Sequence, residues 1–424
     1  MPFKKSFKIL ILFFMLSLLT TNLYADKVLI YMDLKQTDHL KAYGVAYWVL
    51  QQGQNVEWLL NYRGGSFMME ASERVAQHCR LQGVAFDVIT SSQAGEIYKE
   101  IEQNNMEVAL LEKAPDIAVY TPPNKEPWDD AVTLALTYAE IPYKTLWDEE
   151  VLKGELEKYD WLHLHHEDFT GQYGKFYAAY KDALWYKQEQ TTYEIMARKL
   201  GFKKVSEEKK FVAQAIKDYI ANGGFVFAMC SAPETMDIAL SARKTDVAPA
   251  EFDGDPVDPD CQGKLDYSQC LAFTDFQVSL NPYEYLHSNI DTTPEKLALG
   301  NPQADYFTLF DYSAKLDPVP TMLVQDHVNV VNGFMGQTTG FRKNLVKTFV
   351  VILGETIGQN EAKYIHGNYG KGTFTFLGGH DPEDYEHHVG DPPTDLSLHK
   401  NSPGYRLILN NILFPAAKKK ERKT

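Results

Sequence analysis

The sequence predicts an α/β protein built on doubly wound, mainly parallel sheets that carry large insertions. Short apolar runs of strand length alternate with amphipathic helical stretches in two parts of the chain. Alternation of that kind pairs strands in parallel and covers a sheet on both faces. A length of 424 residues with 44% hydrophobic content also provides for more than one core.

The amino end is read separately. Lys4, Lys5 and Lys8 precede an apolar run from Ile9 to Leu19, and Leu23-Tyr24-Ala25 ends on a small residue. This is the pattern of a secretory signal peptide over residues 1–25, with Asp26 as the expected new terminus. The run is too short to favour spanning a bilayer, and no comparable run follows. The expectation is a periplasmic or secreted protein without membrane insertion after cleavage. A net charge of −15 argues against nucleic acid as a partner.

Residues 26–112 read as a small α/β domain. Lys27 to Met32, Val56 to Leu60 and Ala85 to Ile89 are strands. Helices lie between and after them, the first capped by Thr37 or Asp38, then Glu73 to Gln82 and Ile97 to Gln103. The turn Arg63-Gly64-Gly65-Ser66 offers backbone N–H groups to an anion, or is simply a loop.

Residues 113–417 read as a second α/β domain. Strands at Asp116 to Tyr120, Tyr143 to Leu146 and Trp161 to Leu164 alternate with helices at Asp129 to Ala139 and Glu149 to Gly154. After a tyrosine-rich insertion, 169–207, a helix from Lys210 to Ala221 ends at Asn222-Gly223-Gly224 and leads into the strand Phe225 to Met229. Residues 243–320 turn irregular and proline-rich, too long for a plain loop, and read as a lid. Thr373 to Leu377 is a late strand and Tyr405 to Leu413 a closing helix. Residues 418–424 are a basic tail.

Chemistry concentrates where strands end. The apolar strand breaks at Cys230, and Pro233 and Glu234 open a helix. Such a strand-to-helix turn presents a nucleophile at the carboxyl edge of a sheet, and Ala228 and Ala232 meet its need for small neighbours. Gly378-Gly379-His380-Asp381-Pro382-Glu383 follows the late strand. A histidine with adjacent carboxylates suits a general base with its own orienting acid. His165-His166-Glu167-Asp168 closes the strand at 161–164, at an edge where such sheets bind ligands. His163 and His165 share a face and could hold a metal, but this reading ranks behind the thiol. No metal and no cofactor are assigned, and purified protein is expected to hold less than stoichiometric zinc. Cys261 and Cys270 are candidates for a small bridged loop in an oxidising compartment, and Cys79 reads as core.

The order of helix, Gly-Gly, apolar strand, elbow, and later a strand running into Gly379-His380 resembles the class I glutamine amidotransferase-like superfamily over residues 115–417. Within it the chain looks closest to the trehalose-utilisation (ThuA-like) branch. The resemblance implies a flavodoxin-like core and a thiol site acting on an amide or ester. Cys230 would attack, His380 would shuttle the proton, and Glu383 or Asp381 would orient His380. The N–H of Ser231 would help hold the oxyanion, with Gly378, Gly379, His165, His166, Glu167 and Asp168 lining the substrate cleft. A ThuA-like protein that binds a small molecule or glycan without catalysis is the competing class, and a metallohydrolase at His163/His165 is a third.

Further stretches, among them Asn61 to Phe67, Trp161 to Gly171 and Asn401 to Asn411, resemble an exported Bacteroidetes family commonly named asparagine synthetase B. The motifs of that activity are missing here. Pro2 stands where such an enzyme has its amino-terminal cysteine, and there is no Ser-Gly-Gly-x-Asp-Ser loop for ATP.

Overall fold

The computed structural model describes residues 26–123, 130–298, 305–311, 313–316, 328–384, 388 and 390–417. The expected signal segment and the basic tail lie outside them. Among the described residues no helix is long and apolar enough to cross a membrane.

The first sheet holds β1 (Lys27–Ile30), β2 (Val56–Leu60), β3 (Ser66–Glu70), β4 (Phe86–Ile89) and β5 (Glu107–Leu111), in the order β4-β1-β3-β2-β5. Helices α1 (His39–Gln51), α2 (Glu73–Gln82) and α3 (Ser91–Gln103) join its strands. Every pairing is antiparallel, which overturns the parallel pairing expected for this part of the chain. The cause is the turn between β2 and β3. Asn61, Arg63, Gly64 and Gly65 all take positive φ and send the chain straight back along β2. That turn is occupied by the protein itself. The Arg63 guanidinium pairs with Asp33 at 2.7 Å and lies over the Tyr31 ring.

The second sheet is mixed. Its first strands are β6 (Ile117–Tyr120), β7 (Lys144–Leu146), β8 (Trp161–Leu164) and β9 (Phe225–Met229). Then come β10 (Tyr306–Leu309), β11 (Val330–Asn332), β12 (Phe341–Arg342), β13 (Val351–Glu355), β14 (Glu361–Tyr369) and β15 (Gly372–Leu377). The run β7-β6-β8-β9-β15 is parallel throughout, and from β15 the sheet continues antiparallel through β14, β13, β10 and β11. The chain thus reverses its direction of winding between β6 and β8.

Helices cover both faces of the parallel half. On one side Ile117, Val119, Trp161 and Phe227 pack toward α4 (Ala131–Tyr138) and the closing helix. On the other, Leu162, Leu164, Val226 and Ala228 join a core with residues of α5 (Asp148–Leu152), α6 (Leu184–Lys199), α7 (Val205–Asn222) and α8 (Ala232–Ser241). The tyrosine-rich insertion is part of that core, because Tyr173, Tyr186 and Tyr193 are buried in it. The 243–320 stretch is more than a lid. β10 enters the sheet, and the buried Asp237 carboxylate straps the N–H groups of Leu271, Ala272 and Phe273.

The closing helix, α9 (Pro403–Leu413), ties the two sheets together. Its Arg406 is fully buried and donates to the Met32 carbonyl at 2.9 Å, to the Gly64 carbonyl and to the Tyr43 hydroxyl. Leu407, Ile408 and Leu409 belong to the same apolar cluster as Val28, Ile30 and Trp58.

Beneath α7 lies a buried charge group. Lys209 Nζ sits 2.8 and 2.9 Å from the two oxygens of Asp148 and 2.8 Å from the Tyr120 hydroxyl, among the rings of Tyr120, Trp147 and Tyr193. Burial pushes the nearby Glu167, Glu189 and Glu208 carboxyls up to about 8. A carboxyl raised in the folded state binds more protons folded than unfolded, so its stabilising effect is present at low pH and is lost as pH rises through about 8. The protein should therefore melt at a lower temperature at pH 8 than at pH 5.5. Glu208→Gln should flatten that fall relative to the parent. Two parallel melting curves against pH would refute the assignment.

Candidate functional site

The carboxyl ends of β6, β8, β9 and β15 lie at one edge, and the residues just beyond them form the site. His163 is the third residue of β8, buried between Trp161 and Phe227 with ring centroids 6.0 and 5.9 Å away. Its Nδ1 lies 3.2 Å from the Phe227 carbonyl. A carbonyl only accepts, so Nδ1 carries the hydrogen and Nε2 is turned the other way. Nε2 then meets Asp130 Oδ2 at 3.2 Å. Asp130 stands at the start of α4, and its Oδ1 accepts from the N–H groups of Val132 and Thr133. The same Oδ1 is 3.6 Å from Nδ1 of His165, two residues beyond His163.

Burial alone would raise the Asp130 carboxyl, but the imidazoles of His163 and His165 outweigh it and hold it well below the ordinary range. Ligand atoms of Asp130, His163 and His165 all fall within 4.8 Å of one another.

A second trio adjoins the first. His165, His166 and His380 also offer nitrogens within 4.8 Å of one another. The His165 and His380 rings meet edge to face at 4.4 Å, and His166 stacks over His380 at 6.1 Å. The backbone holds both segments. The His165 carbonyl accepts from the Ala232 N–H at 3.1 Å, and the His380 N–H donates to the Met335 carbonyl at 2.8 Å.

The expected elbow is present. Cys230 has φ 54°, between β9 and α8, and its N–H donates to the Gly379 carbonyl at 3.1 Å. The thiol, however, lies beneath residues 334–340, a loop the sequence reading did not single out. The Gln337 N–H donates to Cys230 Sγ at 3.4 Å, and the residue is only 3% exposed. Burial pushes the thiol up to about 11, whereas reactive cysteines have lowered values.

The other expected site residues have varied positions. Glu383 pairs with His399 at 3.0 Å, while Asp381 accepts from the N–H groups of Glu383 and Asp384 and from Thr394. Asp381 thereby shapes the turn after His380. Asp168 accepts from the Thr170, Gln172 and Gly174 N–H groups and anchors its own loop. Glu167 accepts from the Tyr193 hydroxyl at 3.4 Å, within the buried charge group. Ser231 is fully buried with its hydroxyl toward the Glu167 carbonyl. Gly378 and Gly379 are glycines for want of space, since a Cβ would strike the Thr339 carbonyl at 2.5 Å and the Phe334 ring at 2.4 Å respectively.

Cys261 and Cys270 are free thiols rather than the expected bridge, and Cys270 Sγ is directed at the Asp237 carbonyl, 3.3 Å away. The acidic trio Asp246, Asp253 and Asp255 is closed by Lys204, whose Nζ lies 2.7 Å from Asp246 and 3.2 Å from Asp253.

The sequence reading missed Asp130. Its signal was available: an acid immediately before an apolar helix, following a strand that ends at the same edge as His163.

No protein-family model matches the chain. No curated protein matches it either. Among solved structures it is similar to the cytoplasmic protein STM3548 from Salmonella typhimurium, at 11% identity and a TM-score of 0.34, covering 72% of this chain and 100% of that one. A second is the cytoplasmic protein STM1381 from Salmonella typhimurium LT2, at 12% identity and a TM-score of 0.32, covering 71% and 99%. A third is Gan42B, a GH42 beta-galactosidase, at 10% identity and a TM-score of 0.24, covering 63% of this chain and 28% of that one. At TM-scores of this size the likenesses carry no argument about fold or activity.

Proposed function

We propose that the chain is a metal-dependent hydrolase whose ion is held by Asp130, His163 and His165. The observation that carries the reading is the orientation of His163. With Nδ1–H given to the Phe227 carbonyl, the Nε2 lone pair of a neutral ring faces a carboxylate at 3.2 Å. Either an extra proton or a metal must lie there, and a backbone carbonyl on the far nitrogen is the usual setting of a metal-bound histidine. His163 Nε2 lies 3.2 Å from one oxygen of Asp130 and His165 Nδ1 3.6 Å from the other, each close to the spacing of about 3.4 Å between ligands of a tetrahedral ion with bonds near 2.0–2.1 Å. Imidazole and carboxylate donors suit zinc and its first-row neighbours.

The position also fits. Numbered by appearance, the parallel strands run 2-1-3-4-5, an order we read as flavodoxin-like. Ligands bind such sheets at the switch point, here between β6 and β8. An ion there supplies a Lewis acid and a bound water acidified toward pKa about 7. With a single ion bound there, His166 and His380 would take and return the proton, and the substrate class we assign is an amide or ester. Export through residues 1–25 remains part of the proposal.

Elemental analysis after zinc loading and dialysis should find tightly held metal. A chelator should abolish cleavage of p-nitrophenyl esters or anilides, and zinc should restore it. Protein that retains no ion would remove this reading.

The elbow at Cys230 favours a second reading, the thiol amidase, with the same substrates. With the sulfur buried and its pKa raised, iodoacetamide at pH 7 should label Cys230 slowly in folded protein. Rapid labelling that His380→Ala slows would return the thiol to first place.

A further inference from the structure

Resting on the metal reading above, we propose that the centre binds two ions, the second held by His165, His166 and His380, with the His165 ring between them. The two trios have five members in all and share only His165. That ring presents Nδ1 to Asp130 at 3.6 Å, and in the proposed centre Nε2 would serve the second ion. There it meets His380 edge to face with ring centroids 4.4 Å apart, and the adjacent His166 at 5.3 Å.

The second position is a built one. His165 and His380 are 2% and 3% exposed, and His166 is half-buried. The backbones of His165 and His380 are pinned to the elbow and to the 334–340 loop by the bonds from Ala232 and to Met335. Three imidazoles and no carboxylate form a softer, less charged set than Asp130 with two imidazoles, so the two positions differ in affinity.

An imidazole that binds metal through both nitrogens has lost its N–H hydrogen. As the second ion arrives, that proton leaves His165 for bulk water, and the ring becomes a bridging imidazolate. No bond to carbon changes and no oxidant or reductant is needed.

Metal-free full-length protein titrated with Zn(II), read by calorimetry and by elemental analysis after gel filtration, should saturate at two ions per chain. His166→Ala and His380→Ala should each saturate at one, and His165→Ala should lose tight binding altogether. Saturation of the unaltered protein at one ion overturns the second position and leaves the proposed hydrolase standing. No binding at all removes both. Two ions retained in both His166→Ala and His380→Ala would place the second ion elsewhere and overturn the assignment. The unaltered chain decides the stoichiometry, so the test survives a variant that fails to fold.

Discussion

Asp130→Asn should weaken zinc binding by at least the 10–100-fold that loss of a mere outer partner of a metal ligand costs, and hydrolysis should fall with it. The substitution isolates charge from structure. Asparagine caps a helix as well as aspartate does, so α4 keeps an acceptor for the Val132 and Thr133 N–H groups. What disappears is the anion facing His163 Nε2 at 3.2 Å and His165 Nδ1 at 3.6 Å. Competition against a chromophoric chelator would measure the change, with circular dichroism confirming the fold. An Asp130→Asn chain that holds zinc as tightly as its parent would show that the carboxylate is a cap and nothing more.

Lys209→Met should make the protein about 3–5 kcal/mol easier to unfold. Lys209 and Asp148 are 1% and 0% exposed, and no other described cation reaches Asp148. Methionine fills the space of the lysine stem, so the cost arises from the carboxylate left uncompensated beside Glu208 and Glu167. Exchanging both partners, Lys209→Met with Asp148→Asn, should recover much of the loss, because a buried pair replaced as a unit is often close to neutral. Urea unfolding of the two single variants and the double variant closes the cycle. A single variant within about 1 kcal/mol of the parent would mean that water or rearrangement already neutralises Asp148.

The parallel half of the second sheet was legible because each strand is a short apolar run bounded by turn residues. β8 and β9 fall at the residues expected, and β6, β7 and β15 within one residue. The first sheet misled because β3 and β5 were not recognised. Ser66-Phe67-Met68-Met69-Glu70 directly follows a glycine turn and lacks β-branched residues, so its pattern does not announce a strand. Without it, the strands and helices alternate as they would in a parallel sheet.

At the site, local spacing exposed the elbow and both histidine segments, but not the neighbours that surround them. Joining His380 to Cys230 followed the order of motifs along the chain. The His380 ring also packs against His165 and His166, and the thiol is roofed by 334–340. That loop carries no local signature of chemistry, and the only one at Asp130 is that of an acid before an apolar helix. Both become part of the site through strand order, which periodicity alone cannot supply.

The bonds from Arg406 to Met32, Gly64 and Tyr43 impose a timetable on synthesis. The first sheet is complete in sequence by Leu111, yet part of its apolar cluster is supplied by a helix that begins at Pro403. At about 5–20 residues per second, the ribosome needs on the order of 15–60 s to make the intervening chain. Throughout that interval the amino-terminal sheet has an open flank around Val28 and Tyr43. That apolar surface receives the side chains of Leu407, Ile408 and Leu409 only when the last helix has been made.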